Sequence, residues 1–210
     1  MSEGQKQIRI MTVDDHPALR DGIAAIVELQ DDMVMVGEAS SGAEAITAHA
    51  NLRPDVTLMD LQMPGMSGIE AIAAIRKDAR NARIIVLTTY DGDVQAAQAL
   101  KAGASAYLLK NTLRKELLDT IRAVHAGQRR IPPAIAQEIA LHAADEPLSA
   151  REIDILKLVA DGKANKAIAW HLSISEDTVK AHLKSVFAKL DVGDRTQAVT
   201  AALRRGVITL

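Results

Sequence analysis

The stretch DVTLMDLQMPGMSG, residues 55–68, decides how the whole chain is read. Residues 55–59 form a nearly continuous apolar run, as expected of a strand buried on both faces of a parallel sheet. The run ends in Asp60, and Pro64, Gly65 and Gly68 then impose a tight loop. Such a loop exposes the Asp60 side chain and lets a backbone carbonyl turn towards whatever the carboxylate binds.

The same pattern continues on both sides. Upstream, residues 7–13 read as a strand ending in Asp14 and Asp15, and residues 17–30 as a helix carrying Leu19, Ile23, Ile26, Val27 and Leu29. A strand over 33–36 and a short helix over 42–50 follow. Downstream come a helix over 69–79, a strand over 84–87, a helix over 94–102, a strand over 106–109 and a helix over 113–126. Five strands alternating with five helices predict an α/β fold with a five-stranded parallel, doubly wound sheet of the flavodoxin-like kind. In such folds the site lies beyond the carboxyl ends of the strands, at a switch in strand order. Those ends carry Asp14, Asp15, Asp60, Thr88 and Lys110. Three carboxylates meeting at one edge repel unless a cation intervenes, and Mg²⁺ suits an all-oxygen donor set. An Asp beside Mg²⁺ can act as a nucleophile and form an acyl phosphate, with Lys110 neutralising the phosphoryl oxygens. Taken singly, each residue has a plainer reading, because strand ends are polar and Asp is common in turns.

Composition narrows the classes. Of 210 residues, 48% are hydrophobic and 25% charged, which is ordinary for a folded protein. There is no cysteine, which excludes a disulfide scaffold, a cysteine zinc site, an iron–sulfur cluster and a thiol nucleophile. No apolar run approaches the roughly 18 residues of a membrane span, and the opening MSEGQKQ is polar, so the expectation is a soluble cytoplasmic protein with no membrane partner. Residues 1–126 carry 13 Lys and Arg against 17 Asp and Glu, whereas residues 148–210 carry 10 against 7. The basic tail makes nucleic acid a candidate partner of a second domain. The six His show no metal-ligand spacing, and His16 reads as a loop residue of the acidic site.

Residues 127–147 contain Gly127, Pro132, Pro133 and Pro147, which break the preceding helix. Ile135, Ile139 and Leu141 predict a short amphipathic helix within this linker. From Leu148 the pattern is helical. Ser149 and Glu152 form a capping-box signature opening a helix to Ala160, with Ile153, Leu156, Val159 and Ala160 inward. Asn165 is expected to cap a helix over 166–172, and Ser175 one running to about Leu190. A last helix runs from about Thr196 to Arg204. Helix, short turn and helix over 166–190 is the spacing of a helix-turn-helix. Lys180, His182 and Lys184 lie off the apolar face of its second helix, where a major groove would be read. The charges alone are equally those of a solvated helix, and Glu176 and Asp177 in its first turn would repel DNA.

Asp14-Asp15, the loop DLQMPGMSG, LTT at 87–89 and GASAYLLK at 103–110 resemble the receiver domain of two-component response regulators, over residues 7–126. LSARE at 148–152, DGKANK at 161–166, LSIS at 172–175, TVKAH at 178–182, KL at 189–190 and RTQA at 195–198 resemble the LuxR-type helix-turn-helix, over residues 148–210. The whole chain thus resembles a NarL/FixJ-family response regulator. The resemblance implies Asp60 as phosphoacceptor, with Asp14, Asp15, Asp60 and the Gln62 backbone carbonyl as Mg²⁺ ligands. It implies Thr88 as a phosphoryl contact, Lys110 as its ion-pair partner and Tyr107 as an aromatic switch. It further implies Lys180, Ala181 and Lys184 facing the DNA groove, Asn165, Lys166, Thr178 and His182 near the backbone, and residues 195–204 as a dimer contact. Its implied partners are a sensor histidine kinase, a double-stranded operator built as an inverted repeat, a second copy on activation, and RNA polymerase as a further candidate. Enzymatic activity would be limited to self-phosphotransfer and slow autodephosphorylation. Ala167 and Trp170 depart from the family, which often carries an acidic and a basic residue there, and Ala181 offers only a methyl to a base.

Rival readings are an aspartyl-phosphate phosphatase, a regulator that is never phosphorylated, and an RNA-binding output. Gln62 stands where such phosphatases need a second Asp. All five receiver positions are filled, which speaks against a degenerate site. The helix-turn-helix spacing disfavours RNA.

Overall fold

The computed structural model describes residues 7–89 and 92–208. These form two compact units: the residues up to Thr89 with Ala96–Pro133, and those from Ala134 onward with the few before Ala96. None of the described helices is long and apolar enough to cross a membrane.

In the first unit the strands are β1 (Ile8–Val13), β2 (Met33–Ala39), β3 (Val56–Asp60), β4 (Ile84–Thr88) and β5 (Ala106–Leu109). They alternate with α1 (Pro17–Glu28), α2 (Gly42–Leu52), α3 (Gly68–Asp78), α4 (Asp93–Ala102) and α5 (Leu113–His125). All neighbouring strands are parallel, in the order β2-β1-β3-β4-β5. This bears out the doubly wound α/β expectation. The order reverses at β1, so the switch point lies between the carboxyl ends of β1 and β3.

Every residue of β3 and β4 is buried, as their apolar composition requires. One sheet face packs Ile8, Ile10, Leu58, Ile85 and Leu108 against Ile23 and Val27 of α1 and Leu117, Ile121 and Val124 of α5. Helices α2 and α3 pack against each other and against the strands. The edge strand β2 is longer than 33–36 and is mostly half-buried, and a bulge between Ile10 and Met11 shifts its register with β1. Leu29 falls past the end of α1 and is 82% exposed, contrary to its expected place on the apolar face.

The loop after β3 is held from its far end. Ser67 and Glu70 form a capping box at the start of α3. The Gly68 N–H donates to the Leu61 carbonyl at 3.0 Å. A Cβ on Gly68 would collide with the Asp60 carbonyl oxygen, so only glycine lets α3 start this close to the end of β3.

The second unit holds α6 (Pro133–Leu141), α7 (Ala150–Ala160), α8 (Asn165–Leu172), α9 (Glu176–Leu190) and α10 (Arg195–Arg204). Ile135 of α6 is buried, but Leu141 is 63% exposed, so the amphipathic stripe is narrower than expected. Ile155, Val159, Ile168, Val179 and Leu183 make one apolar cluster, and Leu156, Val186, Ala198 and Ala202 another. Ile153 packs half-buried against the second cluster, as expected, and Ile155 joins the first as a further inward residue.

Ser149 and Glu152 close the expected capping box of α7. Glu152 does more, because its carboxylate also accepts from Ser185 Oγ at 2.6 Å and from Lys189 Nζ at 3.0 Å, which ties α7 to α9. Burial pushes the Glu152 carboxyl up, but the bonds from Ser185, Ser149 and Lys189 prevail and bring its pKa to about 2. Ser175 caps α9 by accepting from the Thr178 N–H. The expected Asn165 cap is corrected: Ala164 holds the extended N-cap backbone, with φ −73° and ψ 156°, and no side chain caps α8. Asn165 is already the first helical residue, and its Oδ1 is buried without a hydrogen-bond partner.

Candidate functional site

Strand register assembles the first site. Val13 of β1 pairs with Met59 of β3, so Asp14 and Asp60 emerge side by side. Asp60 pairs with Leu87 of β4 and Thr88 with Leu109 of β5, which brings Lys110 to the same rim. The Lys110 N–H donates to the Thr88 carbonyl at 2.7 Å, fixing the chain where it leaves β5.

Lys110 Nζ lies 2.7 Å from Asp14 Oδ2 and 2.8 Å from Asp60 Oδ2. Asp14 is fully buried and Asp60 nearly so. Burial pushes the Asp60 carboxyl up and the Asp14 charge pushes it the same way. Lys110 pulls it back only partly, so Asp60 stays above the ordinary carboxylate value. Burial pulls the Lys110 ammonium down, but its hydrogen bonds to both carboxylates outweigh this and raise it. The backbone around the site is pinned as well. Arg20 Nη1 donates to the Asp14 carbonyl at 2.6 Å, and the Gln62 N–H donates to Asp60 Oδ1 at 3.3 Å.

His16 belongs to the cluster more directly than its reading as a loop residue suggested. Its Nδ1 lies 3.0 Å from Asp14 Oδ1 and 2.9 Å from Asp15 Oδ1. One ligand atom each from Asp14, Asp15, His16 and Asp60 lies within 4.8 Å of the others. Three carboxylates converging at this distance form the hard oxygen donor set that a divalent cation of the Mg²⁺ type requires. Thr88 is fully buried at the end of β4, and Tyr107 is buried on β5 with its N–H donating to the Arg130 carbonyl at 2.9 Å.

The second site lies on α8 and α9. Lys180, Ala181 and Lys184 are all exposed, and their spacing puts them on one face of α9 with Asp177. Lys180 Nζ pairs with Asp177 Oδ1 at 2.9 Å. Thr178 is exposed, with its N–H on the Ser175 cap, whereas His182 is half-buried. Lys166 is exposed, and Asn165 is half-buried beside Lys180, Lys184 and Arg195, with which it lines an open cleft of about 420 Å³. Lys180 and Lys184 therefore share one basic cleft with the start of α8.

The family model of the response regulator receiver domain matches residues 10–122, and that of the bacterial regulatory proteins of the luxR family matches residues 146–202. The chain belongs to the response regulators that join a receiver domain to a LuxR-type helix-turn-helix, the DNA-binding transcriptional regulators of two-component systems. Among its relatives is the transcriptional regulatory protein LiaR of Bacillus subtilis (strain 168), 41% identical over 209 residues, with 96% of this chain and 99% of LiaR covered. The response regulator protein VraR of Staphylococcus aureus is 37% identical, with 96% and 99% covered. Among solved structures, ChrA, the response regulator of a heme-sensing two-component system, is 39% identical with a TM-score of 0.57, covering 96% of this chain and 99% of its own. RcsB of Salmonella enterica serovar Typhimurium, bound to the promoter P1flhDC with the phosphomimetic BeF3−, is 26% identical with a TM-score of 0.70, covering 93% and 98%. The resemblance read from the motifs is borne out at the level of family and fold.

Proposed function

We propose that this protein is switched by phosphorylation of Asp60 and acts on transcription through α9. The observation that supports the first half is the Lys110 ammonium shared between Asp14 and Asp60 at the carboxyl ends of β1 and β3. A sensor kinase phosphohistidine is the donor. The P–N bond breaks as an Asp60 oxygen forms the new P–O bond, and the imidazole leaves. Burial favours the neutral carboxyl, and Lys110 is the group that holds it as a nucleophile. Asp14, Asp15, Asp60 and the Gln62 carbonyl would hold Mg²⁺, which supplies positive charge against the phosphoryl oxygens when bound. Thr88 binds the phosphoryl group once it is on Asp60, and Tyr107 responds to the movement of Thr88. The only chemistry in this scheme is self-phosphotransfer and slow autodephosphorylation.

In the second half, Lys180, Ala181 and Lys184 face the groove. Asn165, Lys166, Thr178 and His182 meet the backbone, and α10 joins two copies on an inverted repeat. Half-sites then lie about one helical turn apart, roughly 10 bp, or multiples of it. RNA polymerase is the machinery such a dimer would recruit or block. The working limits are a receiver at 7–126, a linker at 127–147 and a DNA-binding domain at 148–210.

The test is intact mass after incubation with a small phosphodonor and Mg²⁺, on wild type and Asp60→Ala. One added phosphoryl group on wild type alone is the expected result. Equal labelling of both proteins would remove Asp60 from its role.

A further inference from the structure

Trp170 is the sole tryptophan of the chain and is 84% exposed, on the first helix of the helix-turn-helix. An indole is a large apolar surface with a single N–H donor, and when covered it normally satisfies that donor. The residues beside it are specific in charge. From Gly162 to Ser175 there are two Lys and one His but no Asp or Glu. Lys166, Ala167, Trp170 and His171 are all exposed, while Ile168 and Ala169 point into the core. Lys166 and Trp170 are one turn apart, so cation and indole are neighbours on the outer side of α8. An aromatic ring in an acid-free basic stretch is complementary to a polyanion.

We infer that Trp170 is a DNA-backbone contact, its indole N–H donating to a phosphate oxygen and its ring lying against the adjoining sugar. This rests on the DNA-binding reading and adds a positioning residue to it. In a helix-turn-helix the first helix crosses the sugar–phosphate backbone while the second enters the groove. Contacts of this kind set the register of the protein on the duplex and carry no sequence information themselves. Trp170 thus places α9, and Lys180 and Lys184 with it, along the groove.

Because the chain has one tryptophan, its emission reports this position alone. The full chain is titrated at low salt with a dye-labelled mixed-sequence duplex. Binding is read by anisotropy, and acrylamide quenching of Trp170 is measured with and without saturating unlabelled duplex. Quenching is expected to fall several-fold in the complex. Trp170→Ala should weaken binding roughly three- to tenfold with the salt slope unchanged, since a neutral contact releases no counterion. Trp170→Lys should steepen the slope by about 0.9, one phosphate's share. Unchanged quenching at saturation would overturn the inference. So would shielding without a steeper slope in Trp170→Lys, which would mean that a second copy covers the ring. No anisotropy change for wild type would strike the DNA reading itself, and this inference with it.

Discussion

Lys110 Nζ is 2.8 Å from Asp60 Oδ2, although the two residues stand 50 positions apart in the chain. The same ammonium holds buried Asp14 at 2.7 Å, so one cation offsets two carboxylates. Removing one partner of a buried pair leaves uncompensated charge, at a typical cost of about 3–5 kcal/mol. Lys110→Met should therefore be destabilised by about that amount at pH 7.5 in metal-free buffer. Without Lys110 the folded Asp60 carboxyl rises further above its unfolded value. Stability is then present at low pH and lost as pH rises through the carboxyl range. The penalty should accordingly shrink at pH 5, and urea midpoints at the two pH values check this. An equal penalty at both would contradict the pairing.

Converging carboxylates also predict a response to metal. Mg²⁺ at about 100 times its Kd should add about 2.7 kcal/mol to the stability of the wild type. EDTA should reverse the gain, and Asp15→Asn should lose most of it. Thermal melts with and without Mg²⁺ decide, and an undiminished gain in Asp15→Asn would exclude Asp15 as a ligand.

On α9, Lys180→Ala and Lys184→Ala should each weaken duplex binding and flatten the salt slope by about 0.9. Lys180 is engaged by Asp177 at 2.9 Å in the free protein. Asp177→Asn should hence tighten binding, because a carboxylate facing the phosphates is removed and Lys180 is released. Anisotropy titrations at several salt concentrations measure all three, and unchanged binding by Asp177→Asn would place Asp177 away from the phosphates.

Glu152 sets an acid limit on the second unit. Its pKa is lowered from 4.5 to about 2. A depressed carboxylate contributes stability above its unfolded pKa, and that contribution is lost as pH falls through the folded value. The shift corresponds to about 3 kcal/mol at 1.36 kcal/mol per unit. Glu152→Gln should be less stable than wild type by about that amount at pH 6, and the gap should close between roughly pH 4.5 and 2. Urea midpoints of both proteins across this range test it; a constant gap would mean that Glu152 acts through packing.

The sequence by itself determined what is local. The period of apolar residues determined the β/α alternation, and Pro64, Gly65 and Gly68 determined the loop after Asp60. Ser149, Ser175 and the spacing between them determined the helix starts that frame the helix-turn-helix, because a cap needs only a side chain and the next N–H groups. Ala164 was missed as a cap position because its extended backbone leaves no mark in residue type, whereas Asn165 carries the usual one. Tertiary structure decided the rest. The β1–β3 register set Asp14 beside Asp60, and the β4–β5 register brought Lys110 to them. Packing of α7 on α9 turned the capping residue Glu152 into a buried three-way anchor. It also drew Ile155 into the core beside the expected residues and left Trp170 outside. Periodicity encodes which residues share a face of one element, but distances between elements arise only when those faces pack, and both the acidic site and the basic cleft are made of such distances.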